Sequence, residues 1–203
     1  MVMKLYIPVK VKGVDIEALM EKVKIEGKFG IVTTVQYLDD VNKLKDKYLV
    51  LGQVLGCNAN CALNADVDAY LYIGTGLFHP TNLAYIVDKP VYILDPVQGI
   101  FYKLDEKYKD KYEKRKKGML LRYLQAKKIG IIVSIKSGQN QMNKALAFRE
   151  KCGKEAYVFL CNNVQNLENY NDIECWVNTA CVRIFEDDFH MPMVNLRDVE
   201  SLE

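Results

Sequence analysis

The residues best suited to chemistry in this 203-residue chain are three of its six cysteines. Cys57 closes Gly52-Gln53-Val54-Leu55-Gly56-Cys57, and Cys61 follows in Asn58-Ala59-Asn60-Cys61. Cys181 closes Val177-Asn178-Thr179-Ala180-Cys181, ahead of Val182-Arg183-Ile184. Both stretches leave an apolar run and end among small or amide residues, which let backbone approach a ligand closely. Thiolate is a soft donor that suits iron–sulfur clusters or zinc. The pattern predicts that Cys57 and Cys181 meet in space as ligands of an iron–sulfur cluster, with zinc on the same thiolates as the lesser rival. The other cysteines divide differently. Cys152 on the apolar face of a helix and Cys175 inside a strand read as core, since a free cysteine packs like a small hydrophobe. Cys161, at a strand exit, is open to either role. A disulfide framework fits poorly, because such frameworks belong mostly to small secreted domains.

Three further loops could hold a ligand. Gly74-Thr75-Gly76 precedes a helix and resembles a short phosphate or cofactor loop, although it is not a full G-x-G-x-x-G. His79, directly before Pro80, either caps that helix or serves the site. Lys136-Ser137-Gly138-Gln139 offers a cation, a turn glycine and an amide suited to a carboxylate, and Arg183 could clamp one with two parallel hydrogen bonds. Gly74, Gly76, Lys136, Gln139 and Arg183 are therefore the candidate cofactor-cleft residues. No residue is singled out as catalytic.

The elements that must position these loops alternate between strand and helix. An entry strand and an amphipathic helix capped by Asp15 fill residues 1–27. Strands are expected at 29–34, 48–55, 69–73 and 90–94, with helices at 35–47, 58–65 and 81–87. The short helix at 58–65 would set Cys57 and Cys61 one turn apart. From residue 128 the pattern begins again: Ile129-Gly130-Ile131-Ile132-Val133-Ser134 echoes Phe29-Gly30-Ile31-Val32-Thr33-Thr34. A helix at 139–152 and strands at 156–160, 174–177 and around 193–194 complete the second round. The expected fold class is α/β, with two tandem similar units, each a mainly parallel sheet flanked by helices. The units are drawn as residues 1–118 and 119–203, joined by a basic helix at about 103–127. Ligands in such sheets sit where strand ends converge.

Bulk properties exclude little. Hydrophobic content of 50%, charged content of 27% and a formal net charge of +2 are ordinary for a globular protein. They give no direct nucleic-acid signal. No apolar run approaches the ~20 residues that cross a bilayer, and Pro8 and Lys10 interrupt the N-terminal run too early for a signal peptide. A cytoplasmic protein with no membrane partner is expected. Residues 103–128 hold eleven Lys or Arg against four Asp or Glu, which reads as a solvated connecting helix or as a docking surface for an acidic protein or RNA.

Taken in order, Val32-Thr33-Thr34-Val35-Gln36, Gly52 to Cys57, Gly74-Thr75-Gly76-Leu77-Phe78-His79-Pro80, Lys89-Pro90-Val91-Tyr92, Ile132 to Gln139 and Val177 to Ile184 carry a resemblance over essentially the whole chain. The chain resembles the diphthamide-synthesis enzymes, which begin modification of a histidine of translation elongation factor two. The resemblance implies a 4Fe–4S cluster held by three cysteines, one from each of three similar α/β domains. It also implies S-adenosylmethionine on the open iron, cleaved to a 3-amino-3-carboxypropyl radical that adds to the acceptor. Cys57 and Cys181 correspond to the second and third ligands, and a preceding domain would carry the first. Val182 stands where the family usually has proline, and Tyr37 where it often has histidine. Three arrangements follow for the third ligand: Cys61 substitutes for it, a partner in a homodimer or a heterodimer with a family relative supplies it, or the chain is a cluster-free subunit or scaffold that binds a full-length relative or elongation factor two.

Overall fold

The computed structural model describes residues 9–56, 58–186 and 189–202. Two compact units divide the chain, residues 1–109 and 110–203. The line falls inside the basic helix, as does the 118/119 line drawn from sequence.

The first unit begins with α1 (Ile16–Leu19), continued by a 3-10 turn at Met20–Lys22. Asp15 caps it as expected, its Oδ1 accepting from the Ala18 N–H at 3.0 Å. The expected entry strand falls largely on residues 1–8, outside the described residues. β1 (Phe29–Thr33) follows, then α2 (Leu38–Asn42) and a 3-10 turn at Lys43–Asp46. A single helix over 35–47 is therefore corrected to a shorter one. Val35, Leu38, Val41 and Leu44 recur every three residues, which is the period of the 3-10 form rather than of the α-helix. β2 (Leu49–Gln53), β3 (Ala69–Ile73), α3 (Phe78–Ile86) and β4 (Val91–Asp95) come next. α3 starts three residues ahead of the expected 81, with Pro80 in its first turn. Proline is tolerated there because the first N–H groups of a helix have no partner within it. β5 (Ile100–Lys103) runs antiparallel beside β4 and was not anticipated. The Asp95 carboxylate shapes the hairpin, accepting from the N–H groups of Val97 (2.9 Å) and Gln98 (3.0 Å).

The second unit carries most of α4 (Lys107–Gln125), then β6 (Lys128–Ser134), α5 (Met142–Lys151), β7 (Glu155–Cys161), β8 (Cys175–Asn178), β9 (Met193–Asn195) and α6 (Leu196–Glu200). The sheet orders are β2-β1-β3-β4-β5 and β7-β6-β8-β9. All pairings are parallel except β4 with β5. Removing the antiparallel edge strand leaves the same order in both units, so the echo seen in the sequence is a repeat of topology.

Burial follows from this arrangement. Central strands of a parallel sheet are covered on both faces and so read as continuous apolar runs. β3 is buried at every position, with Tyr70 and Tyr72 facing one core cluster and Leu71 and Ile73 the other. In β6, Ile129, Ile131 and Val133 face a cluster with Val177 and Val194, while Ile132 faces Trp176 and Met193. The two matching glycines make room for neighbours. A Cβ on Gly130 would lie 2.5 Å from Cε3 of Trp176, and one on Gly30 2.5 Å from Cδ1 of Leu51. Among the described residues no helix is long and apolar enough to cross a membrane.

Candidate functional site

In both units, the first and third strands are central neighbours whose connections leave in opposite directions. This is the switch point at which open α/β sheets bind ligands, outside the carboxyl ends of the strands. A threonine stitches that point in each. Thr33 Oγ1 donates to the Ile73 carbonyl at 2.7 Å, and Thr179 Oγ1 to the Ile132 carbonyl at 2.7 Å. Both threonines are buried.

The mouth of the first unit is lined by phenols and backbone. Tyr72 is buried, and burial raises its phenol above the usual value, as it does for Tyr37, where the Asp95 carboxylate adds to the effect. Gly74, at the exit of β3, is buried with its N–H donated to the Leu94 carbonyl at 3.1 Å. A Cβ there would lie 2.5 Å from Tyr72 Oη, so this glycine seats a tyrosine of its own strand. Gly76 is exposed, has φ +73° and faces open space. His79, in the first turn of α3, is half-buried against Tyr72 (6.1 Å, stacked) and Phe78 (4.7 Å, edge-on). Burial holds its imidazole below the ordinary histidine value. A neutral ring here is a hydrogen-bonding group rather than a charge.

The cysteines are positioned differently from one another. Cys57 lies outside the described residues. Cys61 occupies a 3-10 turn at Asn60–Ala62, which replaces the helix expected over 58–65. Asn58 is the physical reason: its Oδ1 accepts from the Asn60 N–H at 2.9 Å, and Leu55 and Asn58 exchange backbone bonds at 3.0 and 2.9 Å. Such local bonds compete with helix formation. The Cys61 thiol donates to the Gln53 carbonyl at 3.3 Å and packs against the core, and burial raises its pKa. Cys175 is fully buried in β8 with its thiol pushed up to about 12 by desolvation. Cys152 caps the C-terminus of α5 beside the core, and Cys161 ends the edge strand β7, half-buried and also raised by burial.

Cys181 has the most elaborate setting. It follows β8 on a loop anchored by Asn178, which is 2% exposed. Asn178 Nδ2 donates to the Cys181 carbonyl and to Asn195 Oδ1, both at 2.8 Å, while its Oδ1 accepts from the Ala180 N–H at 3.0 Å. Asn178 and Asn195 are register partners on β8 and β9, so the two strand ends are tied by one amide pair. The Cys181 side chain is half-buried. A cleft of about 210 Å³ opens beside the loop, lined by Gln141, Lys144, Asn178, Thr179, Ala180 and Arg197 among others. Lys136 and Gln139 close a turn at the exit of β6, where the Gln139 N–H donates to the Lys136 carbonyl at 3.1 Å. Lys136 is exposed there, and Arg183 is exposed in the 3-10 turn Val182–Glu186. The cations that line the cleft are thus Lys144 and Arg197, which sequence reasoning did not select. The one legible signal was an asparagine at the exit of each of two neighbouring strands.

Among the described residues, no group of three or more His, Cys, Asp or Glu is arranged to hold a metal ion. Cys181, at the mouth of a sheet on an anchored loop, fits a single thiolate ligand. Cys61 in its present contact does not.

Two mainly parallel sheets of repeated topology, the second with a cysteine after its third strand, define a tandem α/β protein. The family model for diphthamide synthesis proteins matches residues 2–202, and the chain belongs to that family. It is 29% identical to the 2-(3-amino-3-carboxypropyl)histidine synthase of Pyrococcus horikoshii, over 98% of this chain and 65% of the relative. The synthase of the same name from Methanocaldococcus jannaschii is 30% identical over 86% of this chain and 51% of its own length. Several eukaryotic relatives are named subunit 1 of that synthase. The crystal structure of Dph2 from Pyrococcus horikoshii with a 4Fe–4S cluster superposes with a TM-score of 0.72 at 27% identity, covering 92% of this chain and 60% of that one. The chain therefore spans roughly half to two-thirds of the length of these relatives.

Proposed function

We propose that this chain takes part in 3-amino-3-carboxypropyl transfer from S-adenosylmethionine, with Cys57 and Cys181 as two thiolate ligands of a 4Fe–4S cluster. The acceptor is a histidine of translation elongation factor two or another molecule, and the setting is the cytoplasm. The observation that carries this reading is the loop after β8, where Asn178 fixes the backbone that presents Cys181. When bound, the cluster would supply the electron that cleaves S-adenosylmethionine to a 3-amino-3-carboxypropyl radical. The chain's own residues have simpler tasks. Asn178 and Asn195 hold the ligand loop still, and a preorganised loop lowers the cost of binding. Lys144, Arg197 and Glu200 line the adjacent cleft; Arg197 already donates to Tyr112 and faces Asp198, so Lys144 is the cation there suited to a carboxylate such as that of a methionyl group. Gly76, Lys136, Gln139 and Arg183 remain proposed as cofactor-binding residues, while Gly74, buried with its N–H on the Leu94 carbonyl, serves only by seating Tyr72.

A second reading rests on a different observation. The Cys61 thiol is turned to the Gln53 carbonyl, which favours a third ligand from elsewhere: a second copy of this chain or a family relative. In the limit, the chain is a subunit that binds such a relative or elongation factor two without a cluster of its own.

The test is anaerobic incubation of the iron-reconstituted protein with S-adenosylmethionine and a strong reductant, followed by analysis of the adenosyl products. Cleavage of the Cγ–S bond releases 5′-methylthioadenosine, and the proposal expects that product to be lost in Cys57→Ala and Cys181→Ala. Release of 5′-deoxyadenosine instead, or no cleavage by a protein that does bind iron, would overturn it.

A further inference from the structure

The cationic helix α4 plays no part in the proposed chemistry, yet its outer surface is organised. Its inner face is committed to the second unit. Tyr112 meets the Phe185 ring edge-on at 5.6 Å, Arg115 lies over the same ring at 5.3 Å, and Lys116 pairs with the buried Asp198 at 3.1 Å. Tyr123 is buried in the core beside Ile129 and Phe148. On the opposite face Lys111, Lys114, Lys117 and Arg122 are exposed and make no ion pair among the described residues. With 3.6 residues per turn they share one side of the helix, together with Leu121 and Leu124. Those leucines are 61% and 57% exposed. Asp110 is the acidic residue on this face, and Glu113 sits half-buried on its flank.

Gly118 lies on that face, about 40° round the helix from Lys114 and from Arg122 and about 60° from Leu121. It is exposed, and a Cβ built on it would have nothing within 4 Å. The chain itself therefore has no steric need for glycine here. Glycine in a helix interior costs about 1 kcal/mol relative to alanine. A glycine on an open helix face does, however, let another backbone come close. Its neighbours one turn away are Lys114, Leu121 and Arg122, so the place of closest approach is ringed by cations and by apolar surface.

We propose that the outer face of α4, centred on Gly118, docks an acidic amphipathic helix of a partner protein. Charge complementarity selects an acidic partner. RNA phosphates need cations but gain nothing from exposed leucines, and a lipid surface, which uses cations and leucines, gains nothing from a missing Cβ, whereas a crossing helix uses all three: backbone approach at Gly118, apolar contact at Leu121 and Leu124, and ion pairs at the flanking lysines. Recognition of this kind is helix-on-surface docking read through anchors at i, i+3, i+4 and i+7.

The experiment titrates the 203-residue chain with a synthetic helical peptide of about 20 residues. It carries a leucine stripe flanked by glutamates, and its charge-reversed counterpart serves as the control. Polyuridylate RNA and phosphatidylserine vesicles are titrated in parallel. Gly118→Leu keeps every charge and favours the helix, so its folding is checked by circular dichroism and its peptide affinity is expected to fall at least about tenfold. Gly118→Ala should bind within about threefold of wild type, and Leu121→Ala with Leu124→Ala should weaken the peptide while leaving any RNA binding unchanged. The proposal is overturned if the acidic peptide does not bind, or if Gly118→Leu binds it as wild type does. It is equally overturned if RNA or vesicles bind more tightly than the peptide through Lys114 and Lys117 alone.

Discussion

Replacing Gly130 by alanine places a methyl group against the chain's single tryptophan. The new Cβ would lie 2.5 Å from Cε3 and 3.1 Å from Cη2 of Trp176. Carbon atoms rest about 3.5–4.0 Å apart, so the indole must recede by about 1 Å. It has little freedom to do so: Trp176 is fully buried, with the Phe159 ring 4.8 Å and the Tyr170 ring 5.8 Å from its own, both edge-on. Overpacking of this kind costs about 1–3 kcal/mol. The loss of unfolded-chain entropy on Gly→Ala returns about 0.4–1 kcal/mol. A net loss of about 1–2 kcal/mol is expected, which at a urea slope of about 1–3 kcal/mol per molar moves the midpoint down by about 0.3–2 M. Trp176 fluorescence reports the second unit directly. Gly30→Ala is the internal comparison: the clash there is with Cδ1 of Leu51, the end of a half-buried, flexible side chain, so unfolding followed by circular dichroism should shift by less than about 1 kcal/mol. An unchanged or raised midpoint for Gly130→Ala, or a larger fall for Gly30→Ala, would refute the packing argument.

Asn178→Ala removes two donated bonds and one accepted bond from a buried position, so a loss of about 1–3 kcal/mol in urea unfolding and poorer iron loading are expected; Asn178→Asp keeps the acceptor for Ala180 but turns a buried carboxylate oxygen toward the Cys181 carbonyl and Asn195 Oδ1, and should lose at least as much. Gly74→Ala forces Tyr72 Oη out of its seat, and the tyrosine near-ultraviolet dichroism should change while the far-ultraviolet spectrum holds. His79 is held below the ordinary histidine value by burial. Its unfolded form therefore takes up a proton first as pH falls below about 6.5, and stability present above that pH is lost on acidification through the folded pKa. An NMR titration of His79 in a His190→Gln background should give a midpoint below 6.5, and a midpoint above it would contradict the buried placement.

The sequence carried the fold further than the site. Strand positions followed from runs such as Ala69-Tyr70-Leu71-Tyr72-Ile73, because a strand covered on both faces needs apolar residues throughout. The repeat was visible because Gly30 and Gly130 solve the same problem, room for a large side chain on an adjacent strand. Misjudged elements have local causes. The helix expected from 81 begins at Phe78 because a first helical turn accepts Pro80, a three-residue period marked a 3-10 turn rather than α-helix, and the Asn58 side chain diverted 58–65 from helix. β5 was not legible because Ile100-Phe101-Tyr102-Lys103 is a short, largely exposed edge strand without the buried apolar run that marks the central strands. In the site, Gly74 was legible as a special position but not as the seat of Tyr72. Lys144 and Arg197 were illegible, because they reach the cleft only through the placement of α5 and α6 around β8 and β9.

The central claim is that thiolates of this chain hold an iron–sulfur cluster. It is tested most directly by anaerobic reconstitution with iron and sulfide, counting iron in wild type, Cys57→Ala, Cys61→Ala and Cys181→Ala, each alone and mixed with a full-length family relative. The account predicts about four irons per assembled cluster, lost when Cys57 or Cys181 is replaced and retained in Cys61→Ala, whose thiol already donates to the Gln53 carbonyl. Iron content unaffected by loss of Cys57 and Cys181, or no iron bound with or without the relative, would contradict it.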